Sequence, residues 1–423
     1  MIVIPRHPRP DTCPGFVMSL HRPPQEDSLD ITFSVPFTHR LRVTDDVAGV
    51  DFGELADVIH RGADGHARVV VWADGDVRDA SDRVDRIAER LTETPGVRMI
   101  GAVRTIRGGE AAKNSPRLIE QLLGDIHQAN LDRRSYIVVI GGGAVLDAAG
   151  FAAAVAHRGI RLIRLPTTTL AQADSGVGVK NAINFFEKKN WVGTFAVPWC
   201  VINDAGLLET LPDRDFRSGF SEAVKVALLK DRQHFDWLCG QASAIRRREM
   251  GATRRAIHQS CLAHLRHITE GGDPFETREA RPLDFGHWSA HKLEPLADYR
   301  LRHGEAVAIG VAIDCLYSTL KFGFPERDAI RVCRCLGELG IRLWAPEIEP
   351  IDRLLDGLEE FRQHLGGRLT VTMLSAVGQP IDVHEVDAAA MRQAILRLKE
   401  LRQEFSGMRV HRGRDRLPDS RAM

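Results

Sequence analysis

Three stretches of this chain gather the side chains that chemistry needs. In PTTTLAQADSGVGVKNAINFFEKKN (166–190), Thr167, Thr168, Asp174, Lys180, Asn184, Lys189 and Asn190 lie close together. Such groups suit a polyhydroxylated, phosphorylated ligand, with Lys as a compact ammonium that a guanidinium does not replace; they equally suit a solvated loop. In SGFSEAVKVALLKD, Glu222 and Lys225 share one helix face, which is also the spacing of a plain surface ion pair. In DFGHWSAH, His287 and His291 stand four apart, and a further helix opens at His303. Two histidines and a carboxylate would leave open positions on a Zn²⁺-like ion, as catalytic sites require. The chain has 17 histidines, so incidental pairing competes, and Trp288 stands where an HExxH metalloprotease would have Glu.

A fourth feature is a turn. The run Tyr136–Ile140 reads as a strand leading into Gly141-Gly142-Gly143, then Asp147 and a helix. Glycines there let backbone N–H groups approach a phosphate at a helix terminus, though the same sequence makes an ordinary tight turn. It is not the GxGxxG fingerprint, and no acidic residue follows at the usual distance. Asp74, ending an earlier strand, is the better candidate to grip a ribose hydroxyl.

These residues need elements to hold them. ITFSVPF, HRLRVT, ARVVVWAD, VRMIGAV, SYIVVI and IRLIRLP read as strands, with helices at 79–95, 115–131 and after Asp147. Strands alternating with helices imply an α/β fold with a doubly wound parallel sheet. Beyond about residue 210 the pattern turns helical, at 217–230, 232–270, 286–296, 303–322, 325–340 and 387–405, with one hairpin in LTVTML and PIDVHEV. The expected organisation is an extension at 1–30, disordered because of its prolines, an α/β domain at 31–212, a helical domain at 213–405 and a mobile tail at 406–423.

Composition narrows the function. With 57 Lys plus Arg against 57 Asp plus Glu, the net charge is zero, which argues against a nucleic-acid partner. Seven scattered cysteines read as reduced thiols, and neither a signal-peptide core nor a membrane span is evident, so a cytoplasmic protein is expected. Only nine of the 57 basic residues are Lys, and five of those nine fall between Lys180 and Lys230.

The order GGGxxxD, GFAAAVAHRGI, LPTTTLAQADSGVGVKNAIN, KKNWVGTF, LPxRxFRSGFSEAVK, DFGHWSAHKLE and RHGEAVAIG resembles dehydroquinate synthase and its sugar phosphate cyclase relatives, from about residue 67 to 385. The resemblance implies NAD⁺ in the first domain and Zn²⁺ (or Co²⁺) in the second, held by Glu222, His287 and His303. It implies cofactor contacts at Asp74, Glu110, Lys113, Gly141, Gly142, Gly143, Asp147, Thr167, Thr168, Lys189 and Thr210. Asp174, Lys180, Lys225 and His291 take catalytic positions, and Lys189 and Asn190 substrate ones. Arg158 matches a residue that reaches a neighbouring subunit's phosphate site, which implies a homodimer. The implied reaction is oxidation, phosphate elimination, re-reduction and intramolecular aldol closure of a seven-carbon sugar phosphate.

Three departures bear on the substrate. The family's LNxGH is here Leu283-Asp284-Phe285-Gly286-His287, so an amide has become a carboxylate. The arginine that meets the substrate carboxylate has no counterpart in register; Ala280 sits there, with Arg281 one place off. The Asp-Lys-Lys motif near the C-terminus is replaced, leaving Arg362 as its nearest cation. The expected substrate therefore lacks the carboxylate, as sedoheptulose 7-phosphate does, although His291 is the feature of a true dehydroquinate synthase. The rival activities are that synthase and a metal-dependent glycerol or alcohol dehydrogenase, which would not need the phosphate-binding lysines; a silent binding protein would be expected to lose the metal ligands.

Overall fold

The computed structural model describes residues 29–62, 65–186, 188–275, 282–364 and 367–414. The α/β half runs β1 (Leu41–Thr44), α1 (Phe52–His60), β2 (Ala67–Asp74), α2 (Gly75–Ala80), α3 (Arg83–Glu93), β3 (Val97–Met99) and β4 (Arg104–Ile106). It continues through α4 (Pro116–Gln128), β5 (Tyr136–Gly141), α5 (Gly143–Val155), β6 (Arg161–Pro166), β7 (Lys180–Phe185), β8 (Lys188–Phe195) and β9 (Cys200–Asp204). The helical half opens with α6 (Asp213–Ser218), α7 (Phe220–Lys230), α8 (Arg232–Arg246), α9 (Met250–Glu270), α10 (His287–Leu296) and α11 (His303–Phe322). It closes with α12 (Glu326–Glu338), α13 (Ile351–His364), the hairpin β10 (Val371–Ala376) and β11 (Gln379–Val383), and α14 (Ala388–Arg414).

The main sheet is parallel, in the order β1-β9-β6-β5-β2-β3 with β4 also on β2. Its strands are nearly continuous apolar runs because helices cover both faces. Along β5, Tyr136, Val138 and Ile140 face the core made with α1 and α3, while Ile137 and Val139 face the one made with α4 and α5. Winding reverses between β2 and β5, the position at which doubly wound sheets open a ligand crevice beyond their strand ends. Asp74 and Gly141 end those two strands. The helices from α7 onward share one separate core with β10.

The doubly wound sheet and the helical second half agree with the sequence reading, and four local expectations change. ITFSVPF forms no strand: Pro36 lacks an N–H for a ladder, and Ile31, Phe33, Val35 and Phe37 are all exposed. The chain up to Thr38 is a unit apart from residues 39–423. The stretch 166–190, read as a polar loop, ends in a strand, and Lys180–Phe195 forms the β7–β8 hairpin. The helices expected at 217–230 and 232–270 each break, the second where Arg248 turns left-handed at φ 60°. Helix α13 was not foreseen, and α14 continues to Arg414, past the boundary expected at 405. The expected extension, apart from residues 29–30, and the end of the tail (415–423) lie outside the described residues.

A buried arginine pins the turn that precedes the hairpin. Arg164 of β6 is fully enclosed and donates to the carbonyls of Gly176 (3.0 Å), Gly178 (2.8 Å) and Lys180 (3.4 Å) and to Asn181 Oδ1 (2.5 Å). Burial lowers its pKa to about 10, still far above neutrality, so the donors persist. Arg164→Ala would strand four acceptors and should cost about 3 kcal/mol or more, read as a lower urea midpoint.

Candidate functional site

Glu222, His287 and His303 come from α7, α10 and α11, and their ligand atoms lie within 4.8 Å of one another. The convergence depends on close packing. Gly286 begins α10 from the left-handed region (φ 79°), and a Cβ on Gly310 of α11 would lie 2.0 Å from the Gly286 carbonyl oxygen. Asp314 fixes the same turn, accepting from Gly286 N (2.9 Å) and Trp288 Nε1 (2.8 Å). Burial pushes the Asp314 carboxyl up to about 7.

The two imidazoles are oriented for one purpose. His287 Nδ1 lies 3.2 Å from the Phe285 carbonyl and His303 Nδ1 3.2 Å from Glu294 Oε2. Both partners can only accept, so each Nδ1 carries a hydrogen, and in the neutral ring Nε2 is the nitrogen that holds the lone pair. Those Nε2 atoms face Glu222 Oε1 at 3.6 and 3.8 Å, too far for hydrogen bonds. Glu222 is fully buried, and its Oε1 receives no hydrogen bond. Burial raises its pKa while Lys225, 2.5 Å from Oε2, opposes the rise. A carboxylate oxygen and two imidazole nitrogens converging in this way fit a divalent cation. Burial also holds His287 well below the ordinary histidine value and His291 down to about 4, so both are neutral near pH 7.

Around this centre stand the other expected residues. Asp174 lies in the one-turn helix Ala171–Ser175, 2.9 Å from His264 Nδ1 of α9. Burial raises its pKa, but His264, Lys225 and Lys180 outweigh it and keep Asp174 ionised. Lys225 stays charged because Glu222 and Asp174 overcome its desolvation, and Asp284 adds to their effect. Lys189 donates to Glu294 Oε1 at 2.8 Å, with Glu110 at 4.0 Å. Lys180 is exposed at the start of β7.

The hairpin is tied to the nucleotide side. Asn184 donates to Glu110 Oε1 (2.6 Å) and accepts from the Asn190 N–H (2.9 Å), while Lys113 donates to Asp147 Oδ2 (2.7 Å) and to the Asn190 side chain. At the crevice between β2 and β5, Asp74 is buried, accepts from Asp76 N (3.1 Å), and is pushed up by desolvation. Gly143 begins α5, where a Cβ would stand 2.7 Å from Ser175 Oγ; at Gly142 it would stand 3.1 Å from Thr168 Cγ2. Glycine at both positions lets the turn pack against Thr168 and Ser175, at the kind of helix start that can hold a phosphate. Thr168 Oγ1 accepts from Ala171 N (3.0 Å), and buried Thr167 Oγ1 has no partner. These residues fit a dinucleotide: a carboxylate for the ribose and glycines with a helix terminus for the pyrophosphate.

Three expected residues show no contact with this cluster, and a fourth lies outside the described residues. The Arg362 guanidinium is held by Glu359 (2.6 and 2.7 Å), one turn back on its helix, and by the Gly367 carbonyl (2.6 Å). Thr210 and Arg158 are exposed; Arg158 lies in a left-handed turn with His157 (φ 63° and 51°). Arg281 lies outside the described residues. Sequence reasoning missed Glu294, His264 and Asp314. Glu294 shared a helix face with His287 and His291, so its signal was available; the other two arrive by tertiary packing.

Comparison with known proteins agrees with this geometry. The family model for the 3-dehydroquinate synthase N-terminal domain matches residues 103–218, and that for the C-terminal domain matches residues 219–364. The 3-dehydroquinate synthase of Halorhodospira halophila is 34% identical over 311 residues, covering 73% of this chain and 86% of its own. ValA, a 2-epi-5-epi-valiolone synthase from Streptomyces hygroscopicus subsp. jinggangensis 5008 with NAD⁺ and Zn²⁺ bound, superposes with a TM-score of 0.79 at 25% identity, over 88% of this chain and 99% of its own. A 2-deoxy-scyllo-inosose synthase complexed with carbaglucose-6-phosphate, NAD⁺ and Co²⁺ shares the fold at a TM-score of 0.70 and 24% identity, over 84% and 95%.

Two predictions follow from the geometry. Glu222→Gln should reduce Zn²⁺ retained after dialysis from about one ion per chain to near none, as measured by elemental analysis. For Asp314, the folded chain keeps a proton between about pH 4 and about 7 that the unfolded chain releases, so this group lowers stability as pH rises through that window and adds no further loss above it. Asp314→Asn should flatten that decline, relative to the parent chain, in urea titrations at successive pH values.

Proposed function

The chain belongs to the 3-dehydroquinate synthase family of sugar phosphate cyclases, and on that premise we propose that its substrate is a seven-carbon ketose phosphate without a carboxylate, sedoheptulose 7-phosphate or a close relative. It is a phosphate-eliminating carbon–oxygen lyase, as the family is, working with NAD and a divalent metal. Residues 31–212 bind the nucleotide and 213–405 the metal and most of the substrate.

The observation that carries the substrate assignment is Asp284. It ends the turn Pro282–Asp284, three residues before His287, and that turn packs against α7, the helix of Glu222 and Lys225. A carboxylated sugar would bring a second anion to a place where the resemblance provides an amide and an arginine, and where this chain has Asp284 and Ala280. The reading of the chain as a true dehydroquinate synthase keeps support from His291 and from the relatives' name.

When bound, NAD⁺ takes up and returns a hydride, and the metal ion polarises the hydroxyl that is oxidised. Asp74, Gly141–Gly143, Thr168 and the Lys113–Asp147 pair hold and orient the nucleotide; Glu222, His287 and His303 hold the ion. Asp174 and Asp284 accept from sugar hydroxyls and fix the ring. Lys180, Lys189, Asn190 and Lys225 neutralise and orient the phosphate as it leaves. His291, neutral at pH 7, is placed to accept a proton on its free ring nitrogen. Pinning so many hydroxyls keeps one flexible substrate aligned through successive steps. Arg158, exposed in its left-handed turn, reaches the phosphate site of a second copy in a homodimer.

The test offers the purified chain NAD⁺, Zn²⁺ and each sugar phosphate in turn, following inorganic phosphate and absorbance at 340 nm. Phosphate should be released from sedoheptulose 7-phosphate with no net NADH. Asp284→Asn should raise kcat/KM for the carboxylated heptulosonate 7-phosphate by about tenfold, equivalent to removing about 1.4 kcal/mol of repulsion. Turnover of the carboxylated sugar alone would overturn the substrate assignment and leave the family intact.

A further inference from the structure

Glu294 has one oxygen that orients the His303 ring and a second whose purpose the site as described so far leaves open. It is 3% exposed and lies on α10, one turn beyond His291 and two beyond His287, hence on their face. Its two oxygens serve different elements. Oε2 meets His303 Nδ1 of α11 at 3.2 Å, and Oε1 accepts from Lys189 Nζ of β8 at 2.8 Å. A carboxylate that only balanced charge would need one of these partners. This one joins an imidazole of the metal set to an ammonium of the substrate set, across the junction of the two halves.

We propose that Glu294 is a positioning residue that fixes His303 in the tautomer able to bind a metal and, through its other oxygen, sets Lys189 at a fixed distance from that metal. An ionised carboxylate accepts only, so it holds the hydrogen on Nδ1 and leaves Nε2 free toward Glu222. The inference rests on reading Glu222, His287 and His303 as a divalent-metal site. An amide at 294 would break the arrangement at one end. If its oxygen keeps Lys189, its NH₂ points at His303 Nδ1 and favours the opposite tautomer, with hydrogen on the metal-facing nitrogen.

The test is the affinity of the chelator-stripped chain for Co²⁺, followed by its visible absorption, and for Zn²⁺ by competition with a chromogenic chelator. Glu294→Gln should weaken both ten- to hundredfold and shift the Co²⁺ spectrum, while Lys189→Ala should leave metal affinity within about twofold and raise KM for the sugar phosphate. Glu222→Gln is the control on the underlying reading: if it retains the ion, the metal site itself is misassigned. If Glu222→Gln loses the ion but folded Glu294→Gln binds it as the parent does, the role of Glu294 is overturned. A measurement on the unmutated chain guards against a variant that does not fold. With ¹⁵N-labelled histidine and no metal, the ring signal lost in His303→Ala should show hydrogen on Nδ1; hydrogen on Nε2 would overturn the proposal.

Discussion

The interaction on which the rest depends is an incomplete one. Glu222 is a fully enclosed carboxylate with Lys225 against one oxygen and no donor for the other. Desolvating such a charge costs several kcal/mol, which one ammonium offsets only in part. The surroundings are arranged to keep it so. Gly286 and Gly310 let α10 and α11 approach, Asp314 fastens the turn between Phe285 and Trp288, and backbone and carboxylate acceptors turn the imidazoles. The fold holds a carboxylate oxygen that has no hydrogen-bond donor among the described residues beside two imidazole nitrogens, an arrangement that a divalent cation would relieve.

The second organising element is the β7–β8 hairpin. It leaves the parallel sheet, is anchored by Arg164 at its base, and meets both halves of the chain. On one side Asn184 and Asn190 engage Glu110 and Lys113; on the other Lys189 engages Glu294. A ligand touching this hairpin is therefore positioned against nucleotide and metal by the same few strand residues. No helix among the described residues is long and apolar enough to cross a membrane.

Much of this was legible in the sequence. The alternation of apolar runs and helices gave the sheet because fully buried parallel strands are written as continuous hydrophobic segments. Glu222, His287 and His303 were legible through the resemblance to a family, since helix periodicity pairs Glu222 with Lys225 and His287 with His291 but does not bring three helices together. The hairpin was not, because Lys180, Asn181, Asn184, Lys188, Lys189 and Asn190 look like loop residues until their polar faces are known to line a site. ITFSVPF misled in the opposite direction: alternation indicates a strand only where a neighbour supplies the ladder. His264 and Asp314 act across long sequence separations, which no local pattern encodes. The contact of Arg362 with Glu359, three residues back on the same helix, was within reach of sequence spacing and was not considered.

The scarcity of lysine has a chemical meaning once its partners are known. Lys189 is kept protonated by Glu294 and Glu110, and Lys225 by Glu222 and Asp174, each overcoming burial that would otherwise favour the free amine. A protonated lysine has no lone pair, so it cannot condense with a carbonyl. An open-chain ketose phosphate is a carbonyl compound, and free amines beside it would form Schiff bases and trap it. By pairing these lysines with carboxylates, and using arginine for 48 of the 57 cationic side chains, the protein would apply positive charge to the proposed substrate while remaining inert to it.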